Sequence, residues 1–276
     1  MKNKRKIIHF LRYVILIIGS IIILYPFSIL FITAFKTQKE YLMSAVSLPD
    51  HWMLSNFKEV FEGTNIFLSF FNSVIIMVAA LVIQIFCGAL TAYALTKMKF
   101  KKAGKYTILF LLPMIIPIQS LVIPLYLIYT KIGLLDTRTG LVIIYAATGL
   151  PLVIFMLTSF MKTIPIQISE SAKVEGAGEF VIFFRLVLPL LKPVVATITV
   201  ISGLSIWNDF FMPMIMISDP DKKTLPLKIY DFMGQYTSNW PLICVCILLV
   251  IIPILVLYCF MQRYIIDGVV AGSVKG

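Results

Sequence analysis

The sequence predicts an all-α membrane protein with six transmembrane helices, and three observations carry that prediction. Of 276 residues, 60% are hydrophobic and only 13% charged, against about 25% charged in a soluble domain. Six long runs are nearly free of charge, and each can supply the roughly 20 residues that cross about 30 Å of hydrocarbon. The lysines and arginines between those runs fall mostly on one side. So apolar a chain is not disordered. Its formal net charge of +11 reads as positively charged loops at a membrane, not as a nucleic-acid surface.

The first run, 13–35, lies between Arg12 and Lys36. The preceding "MKNKRK" resembles the start of a signal peptide. The run is longer than the roughly 7–15 residues of a signal-peptide core and has no A-x-A cleavage site, so it reads as a retained span. The next runs are 72–96, 106–130, 139–161 and 186–208, the last with Lys192 near one end, where its stem can snorkel. The sixth is 238–262. With this division, sixteen lysines and arginines lie on the side of both termini and of the 97–105 and 162–192 loops, and eight lie on the other. The bias puts both termini in the cytoplasm.

The opposite side carries a long loop, 36–70, with Pro49, Trp52 and the amphipathic piece "NFKEVFEG". It is either a docking element or a surface-lying connector. The third run holds Pro113, Pro117 and Pro124. Proline removes a backbone donor and kinks a helix, so this helix is expected to be bent, facing either a pore or a packing partner.

Catalytic chemistry is missing from the sequence. Around "AGKYT" at 103–107 the glycine and hydroxyl positions of a P-loop are filled by Lys99 and Tyr106. His9 and His51 are isolated. Cys87, Cys244, Cys246 and Cys259 lie in apolar runs without metal or redox spacing, so no metal site is expected. The spans lack the ionisable coupling residues or inverted repeat of a secondary transporter, and no clustered polar groups suggest a membrane enzyme. The chain therefore needs a partner to supply energy.

The stretch "ESAKVEGAGEFVIFFRLVLP", 170–189, breaks the oily pattern between spans 4 and 5. Thr163 and Pro165 can open a short helix there, over about 165–176. Gly176 and Gly178 can end it by adopting positive φ. A helix of about ten residues is roughly 15 Å long, too short to span and too polar to bury. It is either an ordinary amphipathic loop helix or a lever tied to two spans.

The spacing Glu170-Ser171-Ala172, three residues, Gly176, nine residues, Leu186-Val187-Leu188-Pro189 resembles the EAA motif of ABC importer permeases, E-A-A-x3-G-x9-I-x-L-P. Serine for the first alanine and leucine for isoleucine are mild departures, and Glu175 stands where aspartate is frequent. "LTAYALTKMKFKKAGK", "WNDFFMPMIMISDPDKKTLPL" and the tail "MQRYIIDGVVAGSVKG" extend the likeness over nearly the whole chain. They are similar to the smaller permease of maltose-type and multiple-sugar transporters.

The resemblance implies a bacterial cytoplasmic-membrane transport subunit that is not itself an enzyme and binds no cofactor; ATP and Mg would be used by a separate ATPase. It implies a second related permease, an ATPase dimer, a lipid-anchored or periplasmic sugar-binding protein, and a sugar cargo. A glycerol-phosphate ester or another small solute is the alternative cargo. Carried onto this sequence, the coupling helix would anchor on the ATPase through Glu170, flanked by Ser171 and Glu175. Ala172 would be its close-packing contact and Gly176 its turn, with Leu188 and Pro189 shaping the return to the membrane. The tail, 263–276, is a further expected contact. For the solute path, the polar or aromatic intramembrane candidates are Gln84, Gln119, Ser120, Trp207, Asn208 and Asp209. Each could equally cap a kink or satisfy a neighbouring helix.

Overall fold

The computed structural model describes residues 2–98, 101–233 and 238–273, which are helical almost throughout. In order the helices are α1 (Lys2–Ala34), α2 (Gln38–Met43), α3 (Ser55–Gly63), α4 (Ile66–Thr96), α5 (Ala103–Leu111), α6 (Val122–Lys131), α7 (Arg138–Met161) and α8 (Gln167–Val174). There follow α9 (Glu179–Val181), α10 (Leu188–Leu190), α11 (Lys192–Asn208), α12 (Phe211–Met216), α13 (Leu225–Lys228) and α14 (Trp240–Ser273). Three helical stretches among the described residues are long and apolar enough to cross a membrane: His9–Ala34, Ile66–Thr96 and Arg138–Met161.

Two further apolar stretches are bent. Ala103–Ile115 and Ile118–Lys131 meet at 83°. The break falls at Ile116, whose ψ of 117° is extended. Proline at 117 disfavours the helical conformation in the residue before it, which accounts for the position. Glu179–Leu190 and Lys192–Asn208 meet at 69°, so the fifth apolar run is not one straight helix. It turns at Leu191, between Pro189 and Pro193, neither of which can donate a helical hydrogen bond. Residues 182–187, just before, are wound as a π-helix.

The chain forms two compact units. One comprises 1–66 and 228–252, the other 67–227 and 253–276. In the first, α1 presents bare apolar surface, with Ile15, Leu16, Ile22 and Leu24 all exposed. Apolar all round and uncovered, it is a helix for lipid or for another membrane protein. The loop after it is tied to a buried lysine. Lys36 is wholly buried, and its ammonium donates to the carbonyls of Ser44 (2.7 Å) and Ala45 (3.2 Å) and to Ser47 Oγ (3.1 Å). Asn56 on α3, the amphipathic piece of the long loop, donates to the Ala34 and Lys36 carbonyls, both at 2.8 Å. α2 begins with a capping box: Thr37 Oγ1 accepts from Glu40 N–H, and Thr37 N–H donates to the Glu40 carboxylate.

In the second unit α4 and α7 approach closely. A Cβ on Gly88 would lie 2.7 Å from Val153 Cγ1, so only glycine permits this spacing, as is common between membrane helices. One apolar cluster joins Ala89, Ala92 and Tyr93 of α4 to Val153, Leu157 and Met161 of α7, and to Ile182, Phe183 and Val187 of the π-helical turn. A second joins Ile76 and Ala80 of α4 to Leu141, Ile144 and Tyr145 of α7 and to Met212 and Met216 of α12. The first cluster seats α8, and the second borders a cavity.

Candidate functional site

α8 is shorter than the sequence suggests. Thr163 does not cap it; its hydroxyl donates to the Phe160 carbonyl and closes α7 instead. The helix starts at Gln167 with no side-chain cap. Its end is a complete Schellman motif. Gly176 N–H donates to the Lys173 carbonyl at 3.0 Å, and Ala177 N–H donates to the Ala172 carbonyl at 2.9 Å. The motif needs a left-handed residue between those two bonds, and Gly176 supplies it at φ +85°. Gly178, the other expected stop, has an ordinary extended conformation and leads into α9.

The two faces of α8 differ. Glu170, Ser171, Val174, Glu175 and Gly176 are exposed, and Val174 is 89% exposed. Ser169 and Ala172 are buried. Ala172 belongs to the apolar cluster of α4, α7 and the π-helical turn, with Ala177 packed against it. Within this chain, the small side chain of Ala172 lets α8 lie close on the chain's own core. Val174, overlooked in the sequence, is the apolar side chain on the open face. Leu188 packs against the same cluster, while Pro189 is exposed just before the turn at Leu191.

Glu179, the third glutamate of the stretch, stands at no fixed position of the motif. Its carboxylate accepts from the Tyr93 hydroxyl at 2.6 Å and pairs with Lys173 at 2.5 Å. Lys97, buried one turn beyond Tyr93, donates to the Ile164 carbonyl.

A cavity of about 290 Å³ opens among α7, α11, α12 and the turn before α6, lined by Gln119, Tyr145, Thr148, Ser205, Asn208 and Asp209 with Ile118, Ile144, Phe211 and Met212. Three of the six residues expected on a solute path line it: Gln119, Asn208 and Asp209. The others do not. Gln84 is buried and donates to the Tyr145 carbonyl at 2.7 Å, joining α4 to α7 over Gly149. Ser120 donates to its local Pro117 carbonyl. Trp207 is buried edge-on to Phe70. The sequence reading missed Tyr145, Thr148 and Ser205. Their helical spacing held a signal, since Ser205, Asn208 and Asp209 stand at i, i+3 and i+4 and so share a face.

Asp209 is fixed in the cavity wall. One carboxylate oxygen accepts from Tyr145 OH and the other from Phe211 N–H, both at 2.9 Å. The wall contains no basic side chain. It offers hydroxyl, amide and carboxylate groups beside aromatic and aliphatic surface. No cluster of three or more metal-binding side chains occurs among the described residues.

The family model for binding-protein-dependent transport system inner membrane components matches residues 84–269, which include α8 and every residue of the cavity wall. This chain belongs to that family. It is 34% identical to a probable starch degradation products transport permease, AmyC, of Thermoanaerobacterium thermosulfurigenes, over 97% of this chain and 98% of that protein. It is 32% identical to the diacetylchitobiose uptake permease NgcG of Streptomyces coelicolor, over 96% of this chain and 88% of that one. The fold matches a chain of a bacterial ABC transporter that imports the acidic polysaccharide alginate, with TM-score 0.80 and 23% identity over 94% of this chain and 96% of that one. A membrane component of a transport system is thus what the apolar helices build.

Proposed function

We propose that this chain is one permease subunit of an ATP-driven importer, and that it carries a neutral sugar of di- or oligosaccharide size across the bacterial cytoplasmic membrane. A second, related permease completes the path. A pair of ATPase subunits acts on α8 from the cytoplasm, and an external sugar-binding protein delivers the cargo. The observation that carries the proposal is the division of α8 into an open face with Glu170, Val174 and Glu175 and a face built into the membrane core through Ala172. A helix seated in this way passes a push on its outer face to α4, α7 and the π-helical turn. The excess of lysine and arginine on the side of the 162–192 segment supports a cytoplasmic position for α8 and for both termini. The backbone of the C-terminal tail is helical to Ser273; its side chains, and residues 274–276, lie outside the described residues.

The cavity supports a neutral cargo. Its volume of about 290 Å³ is at the lower end of ligand pockets, about 300–1,000 Å³, as suits half of a path shared with a second subunit. Hydroxyl and amide groups answer sugar hydroxyls, and aromatic faces suit sugar rings. Asp209, with no cation in the wall, opposes a phosphate ester. The relatives' named cargoes, starch degradation products and diacetylchitobiose, are of the same chemical kind.

The test is reconstitution of the full assembly in proteoliposomes. Glu170→Lys should leave the chain inserted but prevent its co-purification with the ATPase, because the charge of the anchoring side chain is then reversed. Wild-type recovery of all subunits together with normal sugar uptake refutes the anchoring role. Protease mapping that places residue 175 outside the cell refutes the orientation.

A further inference from the structure

The structure assigns the end of α4 a part in coupling: Tyr93 and Lys97 are positioning residues that grip both shoulders of α8 and make α4 move with it. The inference rests on the reading of α8 as the segment the ATPase acts on. Tyr93 and Lys97 are four residues apart and share one face of the chain at the end of α4. Lys97, buried at 6% exposure, donates to the carbonyl of Ile164 on the segment that enters α8. Tyr93, buried at 4%, donates to Glu179 on the segment that leaves it. Glu179 also holds Lys173 of α8 itself.

The grip has the features of a transmitting contact. Both side chains are withdrawn from water, where hydrogen bonds to charged groups are stronger. The Tyr93 ring is fixed edge-on against Phe183 of the π-helical turn at 5.2 Å. α8 is joined covalently only to α7 and α9, so these bonds are the polar links that recruit a helix remote in sequence. Because they hold the two shoulders from one face of α4, α8 cannot pivot without dragging that face.

Hydrogen exchange on the complete transporter, with and without trapping by ATP, Mg and vanadate, tests this. In the wild type, trapping should change exchange both in α8 and in 89–98, the latter by at least about threefold. Tyr93→Phe keeps the ring, and Lys97→Met keeps the stem. Each should leave the change in α8 and abolish most of that in 89–98. Glu179→Leu, which offers the Tyr93 hydroxyl no acceptor, should do the same. Glu179→Gln can still accept from Tyr93 and should fall between. A response in 89–98 that survives all the single variants overturns the inference and leaves the function of α8 standing, as does a wild type in which only α8 responds. A wild type in which α8 itself does not respond overturns the proposed function, and this inference with it.

Discussion

Gly176 allows the proposed lever to be tested by graded backbone strain. Its φ of +85° is left-handed, and a Cβ placed on it meets nothing within 4 Å. Any penalty for substitution there is conformational, not steric. Alanine in the left-handed region costs about 1–2 kcal/mol, and asparagine costs less because it tolerates that region. Proline cannot reach it, since its φ is held near about −65°. Proline also deletes the N–H that donates to the Lys173 carbonyl at 3.0 Å, for a total of about 3 kcal/mol or more. A penalty of 1–2 kcal/mol makes local opening of the α8 exit roughly 5–30 times more frequent. Coupling should therefore fall in the order Gly, Asn, Ala, Pro, measured as sugar taken up per ATP hydrolysed in proteoliposomes supplied with maltotriose and raffinose. Hydrolysis by the assembly should persist at least in the asparagine and alanine variants, because the open face of α8 keeps Glu170 and Glu175. Equal loss in the asparagine and alanine variants would refute the reasoning, as would a proline variant with wild-type coupling.

Two further outcomes follow from groups outside the spans. Lys36→Met keeps the buried stem but removes the ammonium that donates to the carbonyls of Ser44 and Ala45, at a cost of about 1–3 kcal/mol; faster proteolysis within 44–50 is the expected sign, and unchanged cleavage would refute the pinning role. Asp136 clasps the 217–223 loop: its carboxylate accepts from the N–H groups of Ser218 and Asp219, both at 3.0 Å, and lies 3.6 Å from Lys222. Burial raises its pKa, but these N–H groups and Lys222 outweigh burial and hold it below the usual range. The Asp221 N–H, with Lys222, lowers Asp219 too. Depressed carboxylates stabilise a fold above their unfolded pKa and lose that contribution as pH falls through the folded value. Hydrogen exchange in 217–223 should thus be pH-independent beyond its intrinsic rate from about pH 5 to 8 and rise only below about pH 4; opening already at pH 6 would contradict the assignment.

The sequence disclosed what depends on local chemistry. Three prolines marked the bent third run, and the break falls at Ile116 because Pro117 acts on its immediate neighbour. The glycine that ends α8 was legible for the same reason, as a conformation only glycine takes at no cost. What escaped depends on which way a side chain points across a tertiary contact. Gln84 and Gln119 are both glutamines in apolar runs, yet one is a bolt between α4 and α7 and the other lines a cavity. Only the path of α7 tells them apart. Pro189 was read as part of a motif, but the turn at Leu191 needs the distribution of hydrogen bonds from the π-helical segment through Pro193. Glu179 shares its composition with Glu170 and Glu175; its distinct role comes from Tyr93, 86 residues earlier.

The spacing of the motif itself follows from the geometry of α8. A helix that takes force from one subunit and passes it to another part of its own chain needs opposite faces for the two tasks. Successive helical residues are about 100° apart, so Glu170 and Ala172 point nearly opposite ways, one into solvent and one into the core. The four-residue step from Ala172 to Gly176 is the step from the first carbonyl of a Schellman motif to its left-handed residue, and the outer bond runs from the next residue, Ala177, whose N–H reaches back to the Ala172 carbonyl. The residue at 172 thus has to be small to seat the helix, and its carbonyl has to receive the bond that closes it. Moving the glycine by one residue would leave that carbonyl unpaired against the core and swing the exit of the chain, with Glu179, away from Tyr93. The interval is therefore set by this chain's own folding, and the residues free to be chosen for a partner are those left on the open face: Glu170, Ser171, Val174 and Glu175.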